Sequence, residues 1–121
     1  MVTLSFVETS WFTKNCLEYF GDEGYRQFQE ALLHAPEAGR VMPGCGGFRK
    51  LRWRDSRRGK GTRGGIRVIY LYLSDVLVVL LADAYDKDEA SDLTEEQKTE
   101  LSRLAGVLRE ELRRASNGQS S

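Results

Sequence analysis

The chain has 121 residues, 40% of them apolar and 30% charged, and its 18 basic and 18 acidic side chains cancel to a formal net charge of zero. That length buries one core and not two, and the composition excludes a disordered, collagen-like or disulfide-scaffolded protein. The longest apolar run, Val76 to Ala82, falls far short of the roughly 20 residues of a membrane helix, and no basic-then-apolar leader is visible, so the cytoplasm is the expected location and no membrane partner is expected.

Val2 to Glu8 alternates Val2, Leu4 and Phe6 with Thr3 and Ser5 and is expected to form a first strand. Thr9 or Ser10 then caps a short helix with Phe12, Cys16, Tyr19 and Phe20 on one side, and Gly21 ends it. Asp22 caps a second helix in which Tyr25, Phe28, Leu32 and Ala35 recur at three- and four-residue steps until Pro36 stops the run, so the two helices are expected to form a hairpin. Phe48 to Arg54 alternates as a strand does, with Lys50, Arg52 and Arg54 predicted to point one way and Leu51 and Trp53 the other. Asp55 to Gly65 holds no hydrophobic residue and suits a connection between strands. Ile66 to Leu73 is the next strand, Ser74-Asp75 a short turn, and Val76 to Tyr85 a central strand covered on both faces, the three strands pairing as an antiparallel meander. Thr94 and Gln97 form a capping box opening a last helix whose stripe is Leu101, Leu104, Ala105, Leu108 and Leu112. The pattern predicts an α+β fold of order β-α-α-β-β-β-α in one domain over residues 1–114, followed by a polar tail over 115–121.

Neutrality conceals a concentrated charge. Between Arg49 and Arg67 nine basic residues face one acid, Asp55, leaving a local excess of eight positive charges balanced by eight net negative charges elsewhere. Such a dipole steers toward polyanions even though the total is nil. Same-side positions on a strand stand in a row, so Lys50, Arg52 and Arg54 offer a ladder of donors on the scale of successive phosphates, although one polar, wet face is also ordinary for an antiparallel sheet. Arg67 lies among the apolar Val68, Ile69 and Tyr70, and a half-buried guanidinium demands an acceptor. Either a carboxylate between Asp83 and Glu89 fills that need or an RNA phosphate does.

Other chemistries are poorly served. His34 is the only histidine, which excludes a paired-histidine ribonuclease. Cys16 and Cys45 lack metal-ligand spacing and read as free thiols. Asp83, Asp86, Asp88, Glu89 and Asp92 are close in sequence but interrupted by Lys87 and show no ligand pattern, so neither a metal nor any other cofactor is expected.

Four blocks then match in order and spacing: Gly46-Gly47-Phe48-Arg49-Lys50-Leu51-Arg52; Gly59-Lys60-Gly61-Thr62-Arg63-Gly64-Gly65-Ile66-Arg67-Val68-Ile69-Tyr70; Ala84-Tyr85-Asp86-Lys87-Asp88-Glu89; and Ser91-Asp92-Leu93-Thr94. Together they resemble the HigB-like branch of the RelE/ParE superfamily of toxins, over nearly the whole chain apart from the polar tail. The resemblance implies a RelE-like fold, a small antiparallel sheet with two N-terminal helices and a C-terminal helix. It also implies the toxin of a type II toxin–antitoxin pair, a metal-independent endoribonuclease that cleaves messenger RNA in the A site of the 30S ribosome. A cognate antitoxin, a helix-turn-helix DNA-binding protein, would silence it.

By position the resemblance assigns catalysis to Lys50, Arg52, Arg67 and Lys87, with Tyr85 joining them and Glu89 as a reserve base. Arg49, Arg54, Arg57, Arg58, Lys60 and Arg63 are the expected RNA-binding cations. Asp86 and Asp88 flank Lys87 and would raise its pKa, a departure from the pattern that weakens it as an acid–base group. Two alternatives stand beside the ribonuclease: a ParE-like inhibitor of DNA gyrase and a non-catalytic RNA-binding protein. The row of Lys50, Arg52 and Arg67 favours the ribonuclease.

Overall fold

The computed structural model describes residues 3–54, 65–86 and 93–119. Strand β1 (Ser5–Glu8) leads into helix α1 (Ser10–His34), a two-residue strand β2 (Arg40–Val41), then β3 (Arg49–Trp53), β4 (Ile66–Leu73), β5 (Val78–Asp86) and helix α2 (Glu95–Gln119). One five-stranded sheet of order β1-β5-β4-β3-β2 results. The predicted meander of β3, β4 and β5 is antiparallel throughout. Two features differ from the sequence-based expectation. The strand β2 was not anticipated, because two residues carry no readable alternation, and β1 pairs with β5 in parallel, so the sheet is mixed where the resemblance implies an antiparallel one.

The helical hairpin is real, although its two halves adjoin without a loop. Thr9 caps the first half by accepting a hydrogen bond from the Phe12 amide, and Gly21, at φ 67° and ψ 170°, breaks the helix where the sequence places the stop. Phe12 and Tyr25 then bring their rings to 5.8 Å, whereas an unbroken helix would hold them ~20 Å apart. Glu8 fastens the fold-back to β1 by accepting from Thr13 Oγ1 at 2.7 Å and Tyr25 Oη at 2.6 Å.

The sheet separates two apolar layers. On the α1 side Ile66, Val68, Tyr70, Val79, Leu81 and Ala84 pack beneath Phe12, Phe20, Phe28 and Leu32, with Leu51 and Trp53 at the border. On the α2 side Ile69, Leu71, Leu73, Leu80 and Ala82 meet Phe48, Cys45, Ala105 and the stripe Leu101, Leu104, Leu108 and Leu112. Helix α2 opens on the expected capping box, Thr94 N donating to Gln97 Oε1 and Gln97 N to Thr94 Oγ1. The helix runs on to Gln119, past the boundary at residue 114 drawn from the apolar stripe, with Arg113 and Arg114 paired to Glu110 and Glu111 one turn back.

A bulge in β5 decides what the far end of the sheet presents. Tyr70 pairs with Leu81 and Ile69 with Asp83, so Ala82 is an extra residue. Val78, Leu80 and Ala82 precede the slip on the α2 side, and strict alternation would carry Ala84 onto that side and Tyr85 onto the other. Instead Ala84 belongs to the α1 layer and Tyr85 to the α2 layer. One inserted residue has exchanged the faces of everything after it.

Candidate nucleic-acid interface and active site

Cross-strand partners in an antiparallel pair project to the same face. Leu51 and Trp53 are in the α1 layer, so Lys50 and Arg52 project to the α2 side. Arg52 pairs with Arg67, and Arg67 with Tyr85, which sets these three side chains in one row across β3, β4 and β5. One step along the strands a second row runs Lys50, Ile69, Asp83. Lys50 and Tyr85 are half-buried and Arg52 is exposed.

Arg67 is 7% exposed. Its Nη1 donates to the Gly65 carbonyl at 3.1 Å, and among the described residues no carboxylate stands within ion-pair distance of it. The register places Tyr85 opposite Arg67, with Asp83 and Asp86 opposite Ile69 and Ile66. An ion pair between Arg67 and either described carboxylate of that stretch is therefore not formed. A guanidinium has five donors in a rigid fork, and the carbonyl of Gly65 uses one of them.

Two cations assigned to RNA point elsewhere. Arg54 lies past the end of β3, where alternation no longer governs, and turns back over the α1 side: Nη2 donates to Gln27 Oε1 at 3.0 Å and the guanidinium sits 5.6 Å from the Trp53 ring centroid. It does not extend the ladder of Lys50 and Arg52. Arg49 pairs with Tyr70 on the α1 side. Its Nη1 donates to the Glu37 carbonyl at 3.1 Å and to the Gly39 carbonyl at 2.8 Å, so it anchors the chain between α1 and β2. Buried Tyr70 holds the same segment, donating to Pro36 O and accepting from Gly39 N, both at 2.8 Å. Arg57, Arg58, Lys60, Arg63, Lys87 and Glu89 lie outside the described residues, as does the connection 55–64.

The residues that finish the open edge of β5 were not picked out from the sequence. Strand β1 pairs no further than Glu8 with Leu81. Beyond it Thr9 donates from N to Leu81 O and from Oγ1 to Ala82 O, and Asn15 Nδ2 donates to Ala84 O at 3.3 Å. Asp83 Oδ1 accepts from Ala84 N at 2.8 Å. Burial pushes the Asp83 carboxyl above the usual range, with the Ala84 amide opposing that rise. Among the described residues no three His, Cys, Asp or Glu side chains gather as metal ligands, and no described helix is long and apolar enough to cross a membrane.

A small α+β domain with a helical hairpin on one sheet face and one long helix on the other carries exposed Arg52 and buried Arg67 at the end of its sheet. Its fold is that of RelE. A doubly arginine-substituted mutant of the E. coli toxin RelE, in the free state, superposes with a TM-score of 0.51 at 17% identity, over 74% of this chain and 88% of that one. A chain of the intact E. coli RelBE toxin–antitoxin complex gives 0.48 at 17% identity, over 69% and 96%, and the isolated E. coli RelE toxin 0.46 at 17%, over 84% and 99%. No protein-family model matches the chain.

Proposed function

We propose that this protein is the toxin of a type II toxin–antitoxin pair, of the HigB-like branch, and that it is a metal-independent endoribonuclease cutting messenger RNA in the ribosomal A site. The observation that carries this reading is the row Arg52, Arg67, Tyr85, contributed by three strands to one face, with Lys50 one step away. The four sequence blocks and the RelE-like fold support it.

RNA carries its own nucleophile, the 2′-hydroxyl. An enzyme has only to align that group, remove its proton, stabilise the doubly charged phosphorane and protonate the departing 5′ oxygen. Arg52 and Arg67, permanently charged and forked, suit the phosphorane. Lys50 or Lys87 is the group to exchange protons, Lys87 being the less suited of the two because Asp86 and Asp88 flank it, Tyr85 supplies a phenol at the end of the row, and Glu89 is the reserve base. Each well-placed proton-transfer group contributes on the order of 10²–10⁴-fold, so positioning of the message by the ribosome carries much of the remaining rate. The partners are the 30S ribosome with its message and a cognate antitoxin, a helix-turn-helix DNA-binding protein.

The test is cleavage of a defined message in a reconstituted translation system, with the new ends mapped to the codon in the A site. Wild-type protein cuts; Arg67→Ala lowers the rate by ~10²–10³-fold, the loss typical of one preorganised donor to a developing oxyanion, while thermal unfolding remains cooperative. Intact messages together with arrested DNA replication would sink the ribonuclease and favour gyrase inhibition.

A further inference from the structure

Tyr85 reaches the site only because of the bulge at Ala82, and a bulge on an unpaired edge needs something to hold it. In a strand the N–H and C=O of one residue point to the same side. Asn15 takes the carbonyl of Ala84 from α1, so the Ala84 amide faces the same open edge, away from β4. Among the described residues no strand follows there, because β1 pairs only as far as Leu81. Two backbone groups half-buried without partners would cost about 1–3 kcal/mol each, enough to favour sliding β5 back into plain alternation. Asp83 and Asn15 remove that penalty from both groups at once.

We propose that Asp83 and Asn15 are positioning residues for Tyr85: by satisfying the N–H and C=O of Ala84 on the free edge of β5, they lock the bulged register that turns the phenol toward Arg67. The inference rests on the reading of Tyr85 as part of the RNA site for its functional consequence, but the lock itself is a property of the strand. Thr9 holds the preceding step, its N–H donating to the Leu81 carbonyl and its Oγ1 to the Ala82 carbonyl, so from Ala82 to Ala84 this edge of β5 is held by side chains rather than by a neighbouring strand. Asp83 is suited to the task because its carboxyl bonds the amide of the next residue without needing a cation beside it.

The experiment uses the full chain, isotope-labelled, with two readouts. The first is amide exchange at Ala84 together with the through-space contact between the Tyr85 ring and the Arg67 side chain. In Asp83→Ala the Ala84 amide loses at least tenfold in protection and the Tyr85–Arg67 contact weakens. Asp83→Asn, which keeps an acceptor oxygen, restores both. Asn15→Ala, remote from the cation row, reproduces the loss and serves if Asp83→Ala does not fold. The second readout is the single-turnover cleavage rate with message already bound: Asp83→Ala lowers it by ~10- to 100-fold, the scale of an ångström-sized misplacement, and adds nothing further to Tyr85→Phe. Unchanged Ala84 protection and an unchanged Tyr85–Arg67 contact in both Asp83→Ala and Asn15→Ala overturn the proposal. A chain inert on RNA in every form that still shows these exchange and contact changes supports the lock and sinks the ribonuclease reading instead.

Discussion

Arg52 and Arg67 stand directly opposite each other across β3 and β4, two like charges in paired positions on one face of the sheet. Like charges so placed destabilise a strand pair by a few tenths to about 1 kcal/mol, and a fold without a use for them would not keep both. Replacing exposed Arg52 with Gln is therefore expected to stabilise the protein by roughly 0.5 kcal/mol while lowering RNA cleavage. Urea unfolding at low ionic strength measures the gain, which shrinks as salt screens the pair. An Arg52→Gln protein that is both less stable and fully active contradicts the reading.

The contrast between Arg52 and its strand neighbours shows where alternation can be trusted. Within β3 it placed Lys50 and Arg52 on one side and Leu51 and Trp53 on the other, because a pleated strand leaves no choice. It failed at Arg54, one residue past the last ladder pair, where the guanidinium follows Trp53 and Gln27 instead. It also failed to show the bulge, since Ala82 and Ala84 flank Asp83 in a run apolar on both sides, and small residues at both positions hide which face is which. Helix signals were plainer: Gly21 and the Thr94–Gln97 pair each mark a backbone geometry that the residue type itself favours. Asn15 was invisible because its partner, the carbonyl of Ala84, is 69 residues away.

Tyr70 offers a separation of stability from function. Its phenol joins Pro36 O to Gly39 N on the α1 side, away from the cation row. A Cβ on Gly39 would approach Tyr70 Cε1 to 2.8 Å and Oη to 2.9 Å. Tyr70→Phe leaves two backbone groups without that partner and is expected to cost about 1–3 kcal/mol, with Gly39→Ala destabilising through the same contact. Cleavage per folded molecule remains near wild type in both. A large loss of activity at unchanged stability would place Tyr70 in the chemistry.

Buried thiols give the chain a pH signature. Cys16 is pushed up to about 11, chiefly by burial and then by the charges of Glu8 and Asp22, and burial raises Cys45 and Tyr25 as well, the latter helped by its hydrogen bond to Glu8. A folded-state pKa above the unfolded value means that the folded state holds its proton longer, so the stability tied to it is complete below the unfolded thiol value near 8.5 and is lost as pH climbs toward 11. Unfolding free energy is expected to fall across that alkaline window, and Cys16→Ala flattens part of the decline. Alkylation of Cys16 by iodoacetamide at pH 8 is correspondingly slow in the native protein and fast in urea. Rapid native labelling would show the site to be open.

The loop before β3 is clamped to α2 at Gly46. Its φ of 69° lies in the left-handed region, and a Cβ there would meet Ala105 Cβ and Ser102 Cα at 2.9 Å, the latter a backbone atom that cannot swing aside. Arg109 Nη1 donates to the Gly46 carbonyl at 2.7 Å across the same contact. Gly44 shares the positive φ, at 73°, but has open space where its Cβ would stand. Gly44→Ala is thus expected to cost only the conformational penalty of about 1–2 kcal/mol, whereas Gly46→Ala adds an overpacking cost of roughly 1–3 kcal/mol by forcing α2 away from the loop. Thermal unfolding of the two variants measures the difference. Because Leu101, Leu104 and Leu108 seal the α2-side core through that same helix, Gly46→Ala is also expected to expose apolar surface to a hydrophobic dye, and Gly44→Ala is not. Equal stability losses in the two variants would mean that α2 yields freely at Ser102 and that the loop does not fix its position.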